Sequence, residues 1–138
     1  MSNTRFNDHY VRAISQISAP VFPTDGRGII SLVKHLKAGG VIGIVADVGS
    51  RRAPVLKFFG IDAHTPLSAA EWALKYDAEM IPIFGIRQPD GCSFALHVED
   101  PIAPSTAEEM MQRYNDIVEG IVRDKPDQWF WIHNRWKS

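Results

Sequence analysis

The chain has 138 residues, 45% of them hydrophobic and 22% charged, with a formal net charge of −1. That length holds one domain with a real core, the composition excludes disorder, and so balanced a charge provides no global basic field for nucleic acid. A single cysteine, Cys92, excludes an internal disulfide framework and reads as a half-buried structural thiol compatible with a reducing compartment. No apolar run approaches the roughly 18 residues of a membrane span, and the polar N-terminus does not read as a signal peptide. Membrane contact is therefore expected to be peripheral, through an aromatic patch or a local cluster of positive charge.

Along the chain, Tyr10, Val11, Ile14 and Ile17 recur at helical spacing, which predicts a short amphipathic helix over 7–16, ahead of Pro20. Val21 and Phe22 read as a brief extended segment. Asp25 is placed to cap a helix that carries Ile29, Ile30, Leu32, Val33 and Leu36, and Gly39-Gly40 stops it. The run Val41-Ile42-Gly43-Ile44-Val45-Ala46 is apolar and too short for a buried helix, so it is expected to be an interior strand covered on both faces, with Asp47 at its carboxyl end. Residues 48–54 form a loop holding Gly49, Ser50, Arg51 and Arg52, and 55–60 a short extended piece ending at Gly60.

Thr65 before Pro66 has the chemistry of a helix N-cap followed by proline at the first helical position, for a helix reaching about Tyr76. Residues 80–86 read as a strand whose Pro82 must sit at a sheet margin or bulge. Pro89-Asp90-Gly91 is a turn leading to a hairpin partner over 93–98. Thr106 with Glu109 makes a capping box for a last helix carrying Met110, Tyr114, Ile117 and Ile121 on one stripe. Strands and helices alternate without repeat or linker, so the expected fold is α/β, a mixed β-sheet flanked by helices in one domain over 1–138.

The end of the chain reads Pro126-Asp127-Gln128-Trp129-Phe130-Trp131-Ile132-His133-Asn134-Arg135-Trp136-Lys137. On alternation alone, Trp129 and Trp131 point into a core, Trp136 stays at the rim, and His133, Arg135 and Lys137 are solvated. The order Pro-x-Gln-aromatic-x-Trp-x-His-x-Arg-aromatic-Lys resembles the C-terminus of the bacterial lipid A biosynthesis acyltransferases, the lauroyl and myristoyl transferases of the lysophospholipid acyltransferase superfamily. Further blocks follow the family in order: Arg5-Phe6-Asn7-Asp8 resembles its Arg-x-Asn-Asp block, Asp47 then Gly49 its Pro-Asp-x-Asp-x-Gly segment, 55–60 its Phe-Phe-Gly run, and Met80-Ile81-Pro82-Ile83 its Val-Pro-Ile block. Thr65 also matches a threonine of the family. Val48-Gly49 shortens the aspartate segment, and its second acid is absent.

The resemblance implies the C-terminal portion of a glycerol-3-phosphate acyltransferase-like fold. The implied reaction moves a fatty acyl group from acyl carrier protein or acyl-CoA to a hydroxyl of a lipid A precursor or other phosphorylated lipid. It proceeds without metal or cofactor, at the cytoplasmic face of the bacterial inner membrane. Arg5, Asp47, Arg51 and Arg52 are then the residues expected to hold the phosphorylated acceptor. The superfamily's base is a histidine followed five positions later by Asp or Glu, and no histidine here has that partner: the residues five beyond His9, His35, His64, His97 and His133 are Ile14, Gly40, Ala69, Ile102 and Ser138. The motif is therefore expected upstream of Met1, no catalytic residue is assigned within the chain, and exposed sheet edges invite homo-oligomerisation. Two other readings stay open: a non-catalytic lipid-binding or pairing module, and a small α/β protein that binds an acidic metabolite between Asp47 and Arg52. No Gly-rich nucleotide loop and no Cys/His cluster with zinc spacing is present.

Overall fold

The computed structural model describes residues 4–17, 19–23 and 25–136, and the side chains of residues 4–7 and 17 lie outside that description. Its backbone divides into two compact units, Met1–Ile42 and Gly43–Ser138. The first unit contains two helices, α1 (Thr4–Ile17) and α2 (Gly26–Lys37). Asp25 starts α2 as expected: its Oδ1 accepts from the Gly28 N–H at 2.8 Å and satisfies one of the donors a helix start leaves open. Gly39, at φ +82°, ends the helix in a conformation a side chain would strain. Residues 21–23 form no strand.

The second unit is built on α4 (Ala107–Asp124), whose start is fixed by Thr106 Oγ1 accepting from the Glu109 N–H at 3.2 Å. Met110, Met111, Asn115, Val118 and Val122 form its buried face, rotated slightly from the stripe read in the sequence, in which Tyr114, Ile117 and Ile121 are half-buried. Two antiparallel hairpins and one helix surround it. Strands β1 (Val55–Phe58) and β2 (Ile61–His64) form one hairpin through a tight turn in which Phe59 and Gly60 both take positive φ. Helix α3 (Ser68–Tyr76) follows, and strands β3 (Ile83–Arg87) and β4 (Phe94–Val98) pair as the second hairpin, Ile83 opposite Val98 and Arg87 opposite Phe94. Pro82 lies one residue outside β3, where its missing N–H costs no ladder bond, as expected. Asp90 organises the turn by accepting from the Cys92 and Ser93 amides, each at 2.9 Å.

The core has two adjoining parts. Leu67, Ala70 and Ala73 meet Ile102, Met110 and Met111 where α3 packs on α4; Phe58 and Ala63 meet Val118 and Val122 where the first hairpin packs on it. Two glutamines pin strand edges. Gln112 of α4 accepts from the Lys57 N–H at 2.8 Å and donates to its carbonyl at 3.0 Å, and Gln128 treats Arg87 the same way at 2.8 and 3.1 Å. Each amide stands where a neighbouring strand would pair.

Several expectations are corrected. Helices and strands alternate, but among the described residues the strands pair only as two separate antiparallel hairpins and no mixed sheet forms. The run 41–46 is not an interior strand. Val41 is 91% exposed and Val45 76%, and neither hairpin pairs with the segment, so its apolar side chains lack the second cover that a buried strand requires. Residues 61–64, to which the sequence assigns no element, are a strand because the turn at Phe59 and Gly60 folds them back onto β1. Cys92 is exposed, in the β3–β4 turn.

Candidate functional site

The buried polar centre of the second unit is a cluster of Thr65, Asn115 and Arg135. Arg135 is 1% exposed. Its Nη2 donates to Thr65 Oγ1 at 3.1 Å and to Asn115 Oδ1 at 3.3 Å, while Asn115 Nδ2 donates to Thr65 Oγ1 at 3.2 Å and to the Lys57 carbonyl at 3.0 Å. The guanidinium lies over the Phe58 ring, 4.5 Å from its centroid, a favourable seat for a cation on a π face. Nε and Nη1 are buried without a hydrogen-bond partner, and no carboxylate stands within ion-pair distance of Arg135 among the described residues. Burial pushes its pKa down, with Tyr114 and Asp47 opposing, yet a guanidinium keeps its proton. Tyr114, beside it, is pushed up to about 12, first by burial and then by the charge of Asp47, with Arg135 acting against the shift. Its phenol therefore stays neutral.

Two cavities flank this centre. The first, about 340 Å³, runs between residues 44–47 and β3 and is floored by Tyr114, Val118, Val122 and Trp129; that size falls within the range of small-molecule pockets. It is mainly apolar, with Asp47 half-buried in its wall. The second, about 280 Å³, is lined mainly by polar residues: Gly49, Ser50, Arg51, His64, Ile132, His133, Asn134 and Arg135. Gly49 belongs at this junction, because a Cβ there would stand 3.2 Å from the His64 carbonyl oxygen and 3.4 Å from that of Arg135. The Gly49 N–H donates to His133 Nε2 at 2.9 Å, so the His133 proton is on Nδ1. His64 Nδ1 donates to the Ala53 carbonyl at 2.8 Å.

The sequence-predicted site residues are distributed over these features. Asp47 is in the wall of the apolar cavity, Arg51 lines the polar one, and Arg52 lines a separate shallow recess with Pro54, Pro66 and Glu71. Arg5 is on the first turn of α1 in the other unit, and its side chain lies outside the described residues. Thr65 is not a helix cap: α3 begins at Ser68 without a side-chain cap, and the Thr65 hydroxyl is taken by Arg135 and Asn115. Arg135 is not solvated, and Lys137 lies outside the described residues.

The ring assignment holds for Trp129, which packs against Phe58, and is reversed for the other two. Trp136 stacks on Phe58 at 5.6 Å and donates from Nε1 to the Phe58 carbonyl at 3.0 Å, whereas Trp131 is 51% exposed and its indole N–H donates to the Pro126 carbonyl of its own turn. Alternation fails because the tail is not a strand; it enters through a 3-10 turn, Pro126–Gln128, and continues in turns. His133 already uses Nε2 to accept from Gly49, so taking a proton there would first break that bond. Among the described residues no group of three or more His, Cys, Asp or Glu side chains is placed to hold a metal ion, and no helix is long and apolar enough to cross a membrane.

Known proteins agree with the pattern of blocks. The lipid A biosynthesis lauroyltransferase of Escherichia coli strain K12 is 28% identical over 120 residues, covering 83% of this chain and 39% of that protein. This chain thus spans well under two thirds of the length of the curated relative it matches. The family model described as bacterial lipid A biosynthesis acyltransferase matches residues 5–138, so the Arg5 block, the Asp47 loop, the polar cluster and the tail all fall inside one match, and the chain belongs to that family.

Proposed function

We infer that this chain is part of an enzyme that transfers a fatty acyl group to a hydroxyl of a phosphorylated lipid such as a lipid A precursor. The observation that carries the reading is the family match over residues 5–138. The donor is acyl carrier protein or acyl-CoA, and the protein works peripherally at the cytoplasmic face of the inner membrane, within a lysophospholipid acyltransferase fold of which these elements are the C-terminal portion. The apolar cavity beside β3 suits an alkyl chain, which needs dispersion contacts and freedom from water more than hydrogen bonds. Asp47 lines the apolar cavity and Arg51 the polar one, and both are proposed to meet the phosphorylated acceptor; Arg5 and Arg52 are proposed as acceptor contacts on the family resemblance alone.

A base must reach the acceptor hydroxyl. Within this sequence His133 is committed to Gly49, and no histidine has a carboxylate five residues on. The same feature favours the second reading, a non-catalytic module that binds lipid or pairs with a longer relative. One assay separates them: transfer of labelled acyl groups from carrier protein and from coenzyme A to a lipid A precursor, comparing the 138 residues alone with a version extended upstream through a His-x-x-x-x-Asp/Glu segment. We expect turnover only from the extended form, since general base catalysis typically supplies about 10²- to 10⁴-fold. An inactive extended form would leave the module reading; turnover by the 138 residues alone would place a base among the groups seen here.

A further inference from the structure

We propose that the polar cavity between the Gly49 loop, the end of β2 and the C-terminal tail is a binding site for a phosphate monoester. Three observations converge on it. First, none of its lining residues is acidic, while Arg51, His64, His133 and Arg135 all contribute. Arg51 makes no hydrogen bond or ion pair among the described residues, so its fork is available to a ligand.

Second, Arg135 has no ion-pair partner among the described residues. Buried charges are ordinarily paired, because removing an ion from water costs several kcal/mol that only a counter-ion and complete hydrogen bonding recover. Arg135 has two neutral partners and two unpartnered nitrogens. Asp47 acts on it only at a distance. A positive charge fixed in a low-dielectric wall acts strongly on whatever enters the adjoining cavity. A bound anion would supply the counter-ion that is absent among the described residues.

Third, the donors come from different segments of the chain. His133 presents Nδ1–H as its free donor because Nε2 is held by Gly49, Arg51 and Ser50 belong to the loop, and Asn134 to the tail. A carboxylate, planar with two oxygens, is served by one arginine fork; a phosphate group, tetrahedral and carrying up to two charges, uses several donors spread around it. The inference extends the acceptor reading of Arg51 to His133 and Arg135, and it rests on that reading only in taking the phosphate to be a lipid's.

Titration of the ¹⁵N-labelled chain with inorganic phosphate tests the cavity without any acyl transfer. We expect saturable amide shifts concentrated at 49–51 and 132–135. Arg51→Gln should weaken binding by about tenfold or more, as loss of one charge-assisted contact does, while Lys75→Gln, an equal charge change on the exposed face of α3, should leave it within twofold. Arg135→Met should weaken binding as Arg51→Gln does, with an unfolding midpoint unchanged or raised. Cosedimentation then separates the sources: phosphatidic acid vesicles that recruit the chain and release it to inorganic phosphate identify a lipid headgroup, and binding of inorganic phosphate without recruitment identifies a soluble ligand, both supporting the site. Absence of saturable shifts at 49–51 and 132–135, or equal weakening by Arg51→Gln and Lys75→Gln, would overturn it. Because Arg51 is exposed and needs no repacking, its variant decides the matter even if Arg135→Met does not fold.

Discussion

A guanidinium held out of water by Phe58, with only Thr65 and Asn115 to bond to, weakens the folded state it belongs to. Replacing Arg135 by methionine, which fills a similar volume without the charge, should leave the midpoint in a denaturant titration unchanged or raise it. Removing a partner instead should be harmful: Asn115→Leu deprives Arg135 and the Lys57 carbonyl of bonds at once and is expected to cost about 1–3 kcal/mol. The neighbouring phenol gives a second test. Tyr114 titrates near 12 when folded against an ordinary 10.0, so the unfolded chain loses its proton first. The stability tied to that proton is complete below pH 10 and falls away as pH rises towards 12, by about 3 kcal/mol. Tyr114→Phe should flatten the stability profile over that interval, measured by denaturant midpoints from pH 9 to 12. For the tryptophans, Trp136→Ala should cost about 3 kcal/mol, since it empties the space over Phe58 and removes the indole bond to its carbonyl, and Trp131→Ala about 1 kcal/mol or less.

Individual elements were legible in the sequence wherever a local chemical signal decided them. Asp25 and Thr106 each accept the amide three residues on, and both helices start where those side chains say. Thr106→Ala should accordingly cost about 1 kcal/mol in thermal or denaturant unfolding. Pro82, Asp90 and Gly91 delimit the second hairpin for equally local reasons. What escaped depended on partners distant in the chain. The run 41–46 has the composition of a core strand, but a strand exists only where another strand pairs with it. Thr65 has the spacing of a cap, yet its hydroxyl goes to an arginine 70 residues away, and periodicity carries no information about such a bond. The candidate site was legible to the same degree: Asp47 and Arg51 stand at cavities, while Arg135 passed for a surface charge, because a charged residue in an aromatic tail is ordinarily solvated. The one available signal was its place in the family-like tail motif.

At the scale of the whole molecule, apolar surface is left open as well as buried. Ile83, Phe94, Leu96 and Val98 share one exposed face of the second hairpin, and Arg51 and Arg52 stand exposed on the loop after Asp47. Such a mixture suits peripheral contact with a membrane carrying anionic lipid, and sedimentation with anionic vesicles should fall as salt rises while neutral vesicles recruit less protein; equal, salt-independent recruitment by both would remove that idea. The two glutamine amides have a different consequence. Lys57 and Arg87 present their backbone groups on the outer edges of two-stranded hairpins, where exchange with solvent deuterium is ordinarily rapid. Here their partners are side chains 55 and 41 residues further along the chain, on α4 and on the turn that follows it. The protection of these two amides therefore reports whether α4 and its turn are docked, not whether the hairpins are formed, and a single opening of that helix should expose both protons together.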